Sequence, residues 1–463
     1  MQKQRWILPV LLAMCTVVVS CGRARAPDAV FLIVVDTLRP DRLSAYGYRA
    51  HETPHIDRLA ERGVRFVHAQ SPASWTVPSM GAMLTSFYPT QIGLIERQNV
   101  SMVAIGWQQR RQQQAYTLQL VETTLAEHMQ RAGFRTAAFV DQPFLSFRAG
   151  FLQGFDDWYY PVGRVTIRKH DTSEPIPAEP DTAPLVDAYR SDSLLIHEFD
   201  AWLAQNEDEK IFVWLHLLTP HRPYLPPERY LPDSDEVPGP GERYDAEIRS
   251  VDDMIGDITR IIRSRVGFAR TMIVFTSDHG EGFGEHGMVE HGHTLHSEVV
   301  RVPLVVVAPT LSRGVVEVAV STIDVLPTIL DVTGVGVPPG LEGRSLVSVI
   351  GGEPREGLLF SEGMLYGSTE RSLTAHGYKF MWDQQAPSRL YDARADRDEV
   401  NDIAQTHRAW TNKLEGMLAV LHNRLAQDFT VRQNAAEPVD SLAMQRDEER
   451  VLKSLKSLGY IND

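Results

Sequence analysis

Residues Ala29 to Asp36 read AVFLIVVD. Seven consecutive apolar side chains, with no polar alternate among them, form the pattern of a strand covered on both faces, as in a parallel sheet. Asp36 closes the run. Similar runs recur at residues 136–140, 211–218, 272–276 and 303–307, and helical periodicity fills the intervals at 55–62, 123–132, 187–204, 244–264 and 324–333. Strand and helix in alternation predict an α/β fold built on a doubly wound, mostly parallel sheet. Ligands of such sheets gather outside the carboxyl ends of the strands. That rule singles out Asp36, His221, Asp278 and His279, each on or a few residues past the end of a run. His216 lies inside a run and reads as a hydrogen-bonded core residue.

After the first run comes a second informative stretch, Ser74 to Pro89, reading SWTVPSMGAMLTSFYP. Met80, Met83, Leu84 and Phe87 recur at i, i+3, i+4 and i+7, and Pro78 suits a first turn, so a buried helix begins here. Thr76 then stands at a helix N-terminus. Unpaired N–H groups and the helix dipole favour an anion there by roughly 0.3–1 kcal/mol per charge at exposed sites. The hydroxyl reads either as the helix N-cap or as a reactive group, and partners from elsewhere in the chain decide between them.

With 463 residues, 43% of them apolar and 23% charged, the chain has an ordinary globular composition and enough length for a large core. Its N-terminus departs from that composition. Lys3 and Arg5 precede an apolar run from Trp6 to Val19, which has the length of a signal-peptide core and is short for a membrane span. The run ends at Val18-Val19-Ser20-Cys21, which resembles the bacterial lipobox, with cleavage before Cys21 and a lipid on its thiol. This predicts an extracytoplasmic protein of the bacterial cell envelope, held at a lipid bilayer by its acyl chains. Cys15 leaves with the signal and Cys21 is lipidated, so the mature domain keeps no thiol for disulfides or nucleophilic catalysis. Without Lys3 and Arg5 the 46 basic side chains become 44 against 60 acidic, a formal charge of −16. An acidic chain with no basic run argues against nucleic acid as a partner.

Asp278 and His279 stand together in TSDHGEGFGEHG, whose glycines let backbone approach a ligand. With Asp36 at another strand end and the Thr76 hydroxyl they make a hard, oxygen-rich site. Such donors suit one divalent metal ion, Ca, Mn, Mg or Zn. Residues 164–184 and 223–241 read as loops, either site-covering or plain surface. Past Gly351 short strand-like pieces at 357–362, 378–382 and 388–391 precede a helix at 410–427, the pattern of a smaller α+β subdomain with a helical tail.

Together these stretches resemble the sulfatase family within the alkaline phosphatase superfamily. VVVDTLRPDRLSAYGY, TPHIDRLAERGVRF, WTVPSMGAMLTSFYPTQIG, TLAEHMQRAGFRTAAF, PHRPYLPP, FTSDHGEGFGEHG, RVPLVV, STIDVLPTIL and LEGRSL follow that family's order, as do LYD at Leu390 and LKSLGY at Leu455. With the N-terminal reading and the change of pattern past Gly351, the chain divides into a signal at 1–20, a tether at 21–28, a sulfatase-like catalytic domain at 29–350 and a C-terminal subdomain with tail at 351–463. The resemblance implies metal ligation by Asp36, Asp278 and His279 together with Thr76, which takes the position of the covalent nucleophile. His221, in PHRP, takes the place of a substrate-contacting histidine and general acid. His291, in EHGH, stands where relatives present His or Lys to the leaving group or the substrate oxyanion, while His286, His293 and His296 read as solvent-facing side chains or adventitious metal binders.

Two departures define this chain. Sulfatases carry C/S-x-P-x-R for formylglycine, where this chain has Thr76-Val77-Pro78-Ser79-Met80, so neither the convertible residue nor the arginine is present. Thr37 replaces a second Asp, and Val140-Asp141-Gln142-Pro143 replaces the Gly-Lys-Trp-His stretch, which removes further cationic contacts to sulfate. The expectation is a hydrolase of anionic esters with a threonine nucleophile, acting on phosphodiesters or monoesters ahead of sulfate esters. A sulfatase proper, a phospho-headgroup transferase of the envelope and an inactive binding lipoprotein are the alternatives.

Overall fold

The computed structural model describes residues 25–94, 123–142, 144–145, 150–159, 167–168, 188–233, 236–366 and 369–435, with backbone alone at 167–168 and 433–435. The signal sequence, Cys21, most of the 164–184 loop and the LKSLGY motif lie outside the described residues. Among those described, no helix is long and apolar enough to cross a membrane.

The apolar run at 29–35 becomes β1 (Ala29–Val35), and every residue of it is buried. The chain continues through β2 (Val64–Gln70), β3 (Arg135–Val140), β4 (Asp157–Tyr159), β5 (Ile167–Arg168), β6 (Ile211–Leu217) and β7 (Thr271–Ser277). A short hairpin, β8 (Gly282–Phe283) with β9 (Val289–Glu290), precedes β10 (Arg301–Val307), β11 (Gly314–Val316) and β12 (Val320–Ser321). The main sheet runs β11-β2-β10-β7-β1-β6-β3-β4-β5, with β12 also on β2. β1 pairs in parallel with β6 on one side and β7 on the other, which places Asp36 at the centre of the carboxyl edge.

Side chains alternate along β1. Val30, Leu32 and Val34 face a core shared with α2 (Thr76–Thr85), α3 (Leu125–Arg131) and α6 (Val325–Thr333). Ala29, Phe31, Ile33 and Val35 face a second core shared with α1 (Pro54–Arg62), α4 (Ala188–Asn206) and α5 (Pro240–Arg265). Each large side chain closed off this way contributes about 1.5–3 kcal/mol. This is the doubly wound sheet that the sequence predicts.

Several strands differ from expectation, β10 and β2 among them. β10, read among the parallel runs, is antiparallel to both β2 and β7. Leu304 and Val306 lie in one core and Val305 and Val307 in the other, so both faces are covered whichever way the strand points. A continuous apolar run reports burial and carries no sign of direction. β2 escaped notice because it alternates: Arg65, Val67 and His68 are only half-buried. The C-terminal part forms an antiparallel sheet of β13 (Leu359–Glu362), β14 (Glu370–Ala375), β15 (Tyr378–Asp383) and β16 (Arg389–Asp392). β14, reading ERSLTA, is the strand that sequence missed, again for its polar alternates. The final helix α7 (Arg408–Ala435) packs on this sheet and on the turn at Pro89–Ile92 that follows α2.

Candidate functional site

The carboxyl edge of the sheet brings together Asp36 after β1, His216 near the end of β6, Gln142 two residues past β3, and Asp278 and His279 after β7. All five side chains are fully buried. Gln142 Nε2 donates to Asp36 Oδ2 at 2.6 Å, while the N–H groups of Thr37 and His279 donate to Asp278 Oδ1 at 3.2 and 2.9 Å. Among the described residues, the other oxygens of the two carboxylates, Asp36 Oδ1 and Asp278 Oδ2, have no hydrogen-bond partner, and neither do Thr37 Oγ1 and the two ring nitrogens of His216. Buried polar atoms left unmatched cost about 1–3 kcal/mol each, so such a cluster calls for a cation between them.

Ligand atoms of Asp36, His216 and Asp278 lie within 4.8 Å of one another, which suits a single divalent ion. His216 therefore corrects its sequence reading. Its Nε2 lies 3.8 Å from Asp36 Oδ2, and it is a candidate ligand where a hydrogen-bonded core residue was expected. On the other side of the pair, His279 Nε2 lies 3.6 Å from Asp36 Oδ1 and 3.4 Å from Asp278 Oδ2. Burial and the Asp36 charge raise the Asp278 carboxyl, whereas for Asp36 burial is outweighed by His216, His221 and His279, which hold it well below its ordinary range. One anion is thus favoured over two until a cation relieves the repulsion.

Trp75 occupies the N-cap of α2 without a side-chain capping hydrogen bond, and Thr76 is the first residue of the helix. Thr76 Oγ1 lies 3.2 Å from His279 Nε2. His279 Nδ1 sits 2.9 Å from the Gly280 carbonyl and must donate to it, which leaves the Nε2 lone pair turned toward the hydroxyl. Burial lowers the His279 pKa and keeps that lone pair available. The start of α2 is held in place by Ser79, whose hydroxyl donates to the Asp278 carbonyl at 2.6 Å and pairs with Ser71 Oγ at 2.8 Å. Thr37, directly after Asp36, has φ +58°, a conformation that strains a β-branched residue. The Tyr244 hydroxyl, donating to the Thr37 carbonyl at 2.7 Å, helps to fix it.

Two further histidines close the site. The rings of His291 and His279 are 4.5 Å apart between centroids, and those of His221 and His291 5.1 Å. His221 Nδ1 donates to the Arg222 carbonyl at 2.7 Å, orienting the ring. His291 Nδ1 lies 3.0 Å from Oε1 of Glu281, a fully buried carboxylate whose Oε2 accepts from Tyr224 at 2.8 Å. Burial alone would lower the His291 pKa, but Glu281 raises it to about 9. Gly292, at φ +77°, pins the segment, because a Cβ there would come within 2.6 Å of Leu365 Cβ.

The structure thus assembles Asp36, Thr76, His221, Asp278, His279 and His291. It draws the other histidines elsewhere: His286 stacks on His296 at 3.6 Å between centroids, and His293 stacks on Tyr366. His216, Gln142 and Glu281 were not found as site residues from sequence. The strand-end rule reaches the first two, since each lies within two residues of a strand terminus, whereas Glu281 shows itself only through its partner. Met80, where an arginine was expected from the resemblance, is fully buried in the apolar core, and Asp141 is a buried acid whose pKa burial raises. Arg39 and Arg222, the basic residues near the site motifs, are paired with Asp41 and Glu285 and with Glu290.

A family model described as Sulfatase matches residues 28–335, and one described as N-sulphoglucosamine sulphohydrolase, C-terminal, matches 284–428. The chain is 24% identical over 416 residues to an ulvan-active sulfatase of Formosa agariphila, covering 81% of this chain and 77% of that one. In three dimensions it is similar to the phosphonate monoester hydrolase of Agrobacterium radiobacter, with a TM-score of 0.68, 22% identity and coverage of 86% and 96%. It is also similar to a protein crystallised with its substrate D-glucosamine-2-N,6-O-disulfate, with a TM-score of 0.66, 19% identity and coverage of 88% and 98%.

Proposed function

Because the chain belongs to the sulfatase family, we propose that it is a metal-dependent hydrolase of phosphate-type esters, mono- or diesters, with Thr76 as the nucleophile. The observation that carries this reading is the Thr76 hydroxyl, 3.2 Å from the His279 lone pair beside two buried carboxylates. Asp36, Asp278, His216 and His279 would hold a divalent cation, which when bound supplies positive charge to the ester oxygens and acidifies a neighbouring hydroxyl.

The protein's own groups account for the rest. Thr76 Oγ1 gives up its proton and forms a bond to phosphorus as the bond to the leaving oxygen breaks. That proton goes to solvent, because the single Nε2 lone pair of His279 would be committed to the cation while Nδ1 donates to the Gly280 carbonyl. His291, kept protonated by Glu281, returns a proton to the departing alcohol, with His221 beside it. The first N–H groups of α2 face the developing negative charge. Water then releases phosphate from Thr76.

Sulfate-ester hydrolysis on the same scaffold is the second reading, favoured by the activity that the ulvan-active relative's name states. Single-turnover hydrolysis of aryl phosphate, phosphodiester, phosphonate and sulfate esters, run beside the Thr76→Ala protein, separates them. The expected result is phosphate-type turnover reduced at least about 10³-fold by the substitution. Undiminished activity in Thr76→Ala removes the nucleophile assignment, and turnover of sulfate esters alone moves the protein to the second reading.

A further inference from the structure

A groove of about 580 Å³ is lined by residues of helices α1, α4 and α5 and shares no lining residue with the ester site. Five arginines line it, Arg58, Arg62, Arg229, Arg260 and Arg263, against Asp253 and Asp257. Arg58 and Arg62 are four residues apart on α1, and Arg260 and Arg263 three apart on α5, so each pair shares one helix face about 5–6 Å apart. From Asp253 to Arg263 the α5 wall runs about 15 Å at the helical rise. One end lies by Tyr189 and Arg229, near the start of α4 and in the segment after β6. The other lies by Arg62 and Phe268, where α1 and α5 lead into β2 and β7.

These guanidiniums are poorly neutralised. Arg260 meets Asp257 at 2.9 Å, but the other four have no carboxylate partner among the described residues. Arg58 instead meets the His55 imidazole at 2.7 Å, and Arg229 the hydroxyls of Tyr189 and Tyr230 at 2.6 and 2.9 Å. Arg62 lies over the Phe268 ring at 4.8 Å, and Arg263 is exposed, with no ion-pair partner among the described residues. On a chain of formal charge −14, a groove with this surplus of positive charge is a local exception.

We propose that this groove binds a segment of a polyanionic glycan, its sulfate or phosphate groups taken by the paired arginines. Guanidinium offers a planar pair of donors that matches such oxyanions and is weakly hydrated, so it suits a recessed site. Concavity disfavours a planar bilayer as occupant, because the arginines sit between helices. Single-stranded nucleic acid is held by stacking its bases on open aromatic rings, whereas the aromatic side chains lining this groove, Tyr189 and Phe268, each lie under an arginine. Four guanidiniums in two rows fit a linear chain that carries its charges at intervals.

Dextran sulfate is the probe, neutral dextran the control, and the full chain the protein, with binding read by affinity electrophoresis and titration calorimetry. Wild-type binding weakens as salt is added, and Arg58→Ala/Arg263→Ala weakens it at least tenfold while thermal midpoint and turnover of a small aryl ester stay unchanged. Arg→Lys at the same positions restores part of the affinity. Equal binding by the alanine variant, equal binding of neutral dextran, or preference for single-stranded DNA or phosphatidylglycerol vesicles each overturns the proposal. Binding is read without turnover, so failure here is separate from failure of the ester chemistry.

Discussion

Glu281 Oε1 lies 3.0 Å from His291 Nδ1, and both side chains are closed off from bulk solvent. A buried carboxylate in that position fixes the ring and favours its protonated form. Glu281→Gln keeps the shape and removes the charge. It is expected to slow esters with poor leaving groups by about 10²-fold, the scale of general acid assistance, and nitrophenyl esters much less. Measured kcat across alcohols of graded acidity checks this. A uniform loss across the series would remove His291 as proton donor.

His216 faces Asp36 with both ring nitrogens unmatched. If it is a ligand, His216→Ala releases metal under conditions where the parent protein retains one equivalent by elemental analysis. Apo and reconstituted parent protein then differ in thermal midpoint, since a ligand bound to the native state at 100 Kd stabilises it by about 2.7 kcal/mol. His216→Ala narrows that difference. Unchanged stoichiometry and affinity would return His216 to the core.

Met80 is fully buried among apolar neighbours on α2. Met80→Arg, which recreates the family's arginine, therefore places an unpaired charge in the core. The expected result is a loss of about 3–5 kcal/mol of stability without a gain in sulfate turnover. Denaturant melts and a sulfate-ester assay check it. A stable variant with new sulfatase activity would show that position 80 opens to the substrate.

Glu399 is buried between Lys379 Nζ at 2.8 Å and His296 Nδ1 at 2.7 Å, with Ser297 also hydrogen-bonded to it. Burial alone would raise its pKa, but Lys379 and His296 hold it at about 2, below the ordinary 4.5. A depressed carboxyl contributes stability that is fully present above pH 4.5 and drains away as pH falls toward 2. The shift corresponds to on the order of 3 kcal/mol. Urea midpoints at pH 7 and pH 3 should therefore show Glu399→Gln much weaker than the parent at pH 7 and closer to it at pH 3. A constant gap between the two proteins would contradict the linkage.

Sequence reached the strands whose neighbours cover both faces, because there burial alone dictates composition. β1 appears with the boundaries its apolar run announces. It failed at β2 and β14, where one side is half-open and polar residues intervene, and it could not orient β10. The site divides the same way. Asp36, Asp278 and His279 were legible as polar residues ending apolar runs. The roles of Gln142 and Glu281 depend on what lies opposite: Gln142 meets an aspartate 106 positions away, and Glu281 meets His291 only once the β8–β9 hairpin folds back. Thr76 could be a cap or a nucleophile until its partner, 203 positions distant, came into view.

The first strand of the chain is also the middle of its sheet. β1 finds one neighbour at β6 and the other at β7, and the Thr37 N–H reaches the Asp278 carboxylate across 241 positions. While the chain emerges at about 5–20 residues per second, that apolar ribbon stays open along both edges for on the order of ten seconds or more. Long-range closure of this kind is slow and prone to mispairing. The cradle of carboxylates and imidazoles exists only after closure, so uptake of a cation at this candidate site would report that the newborn chain has finished folding.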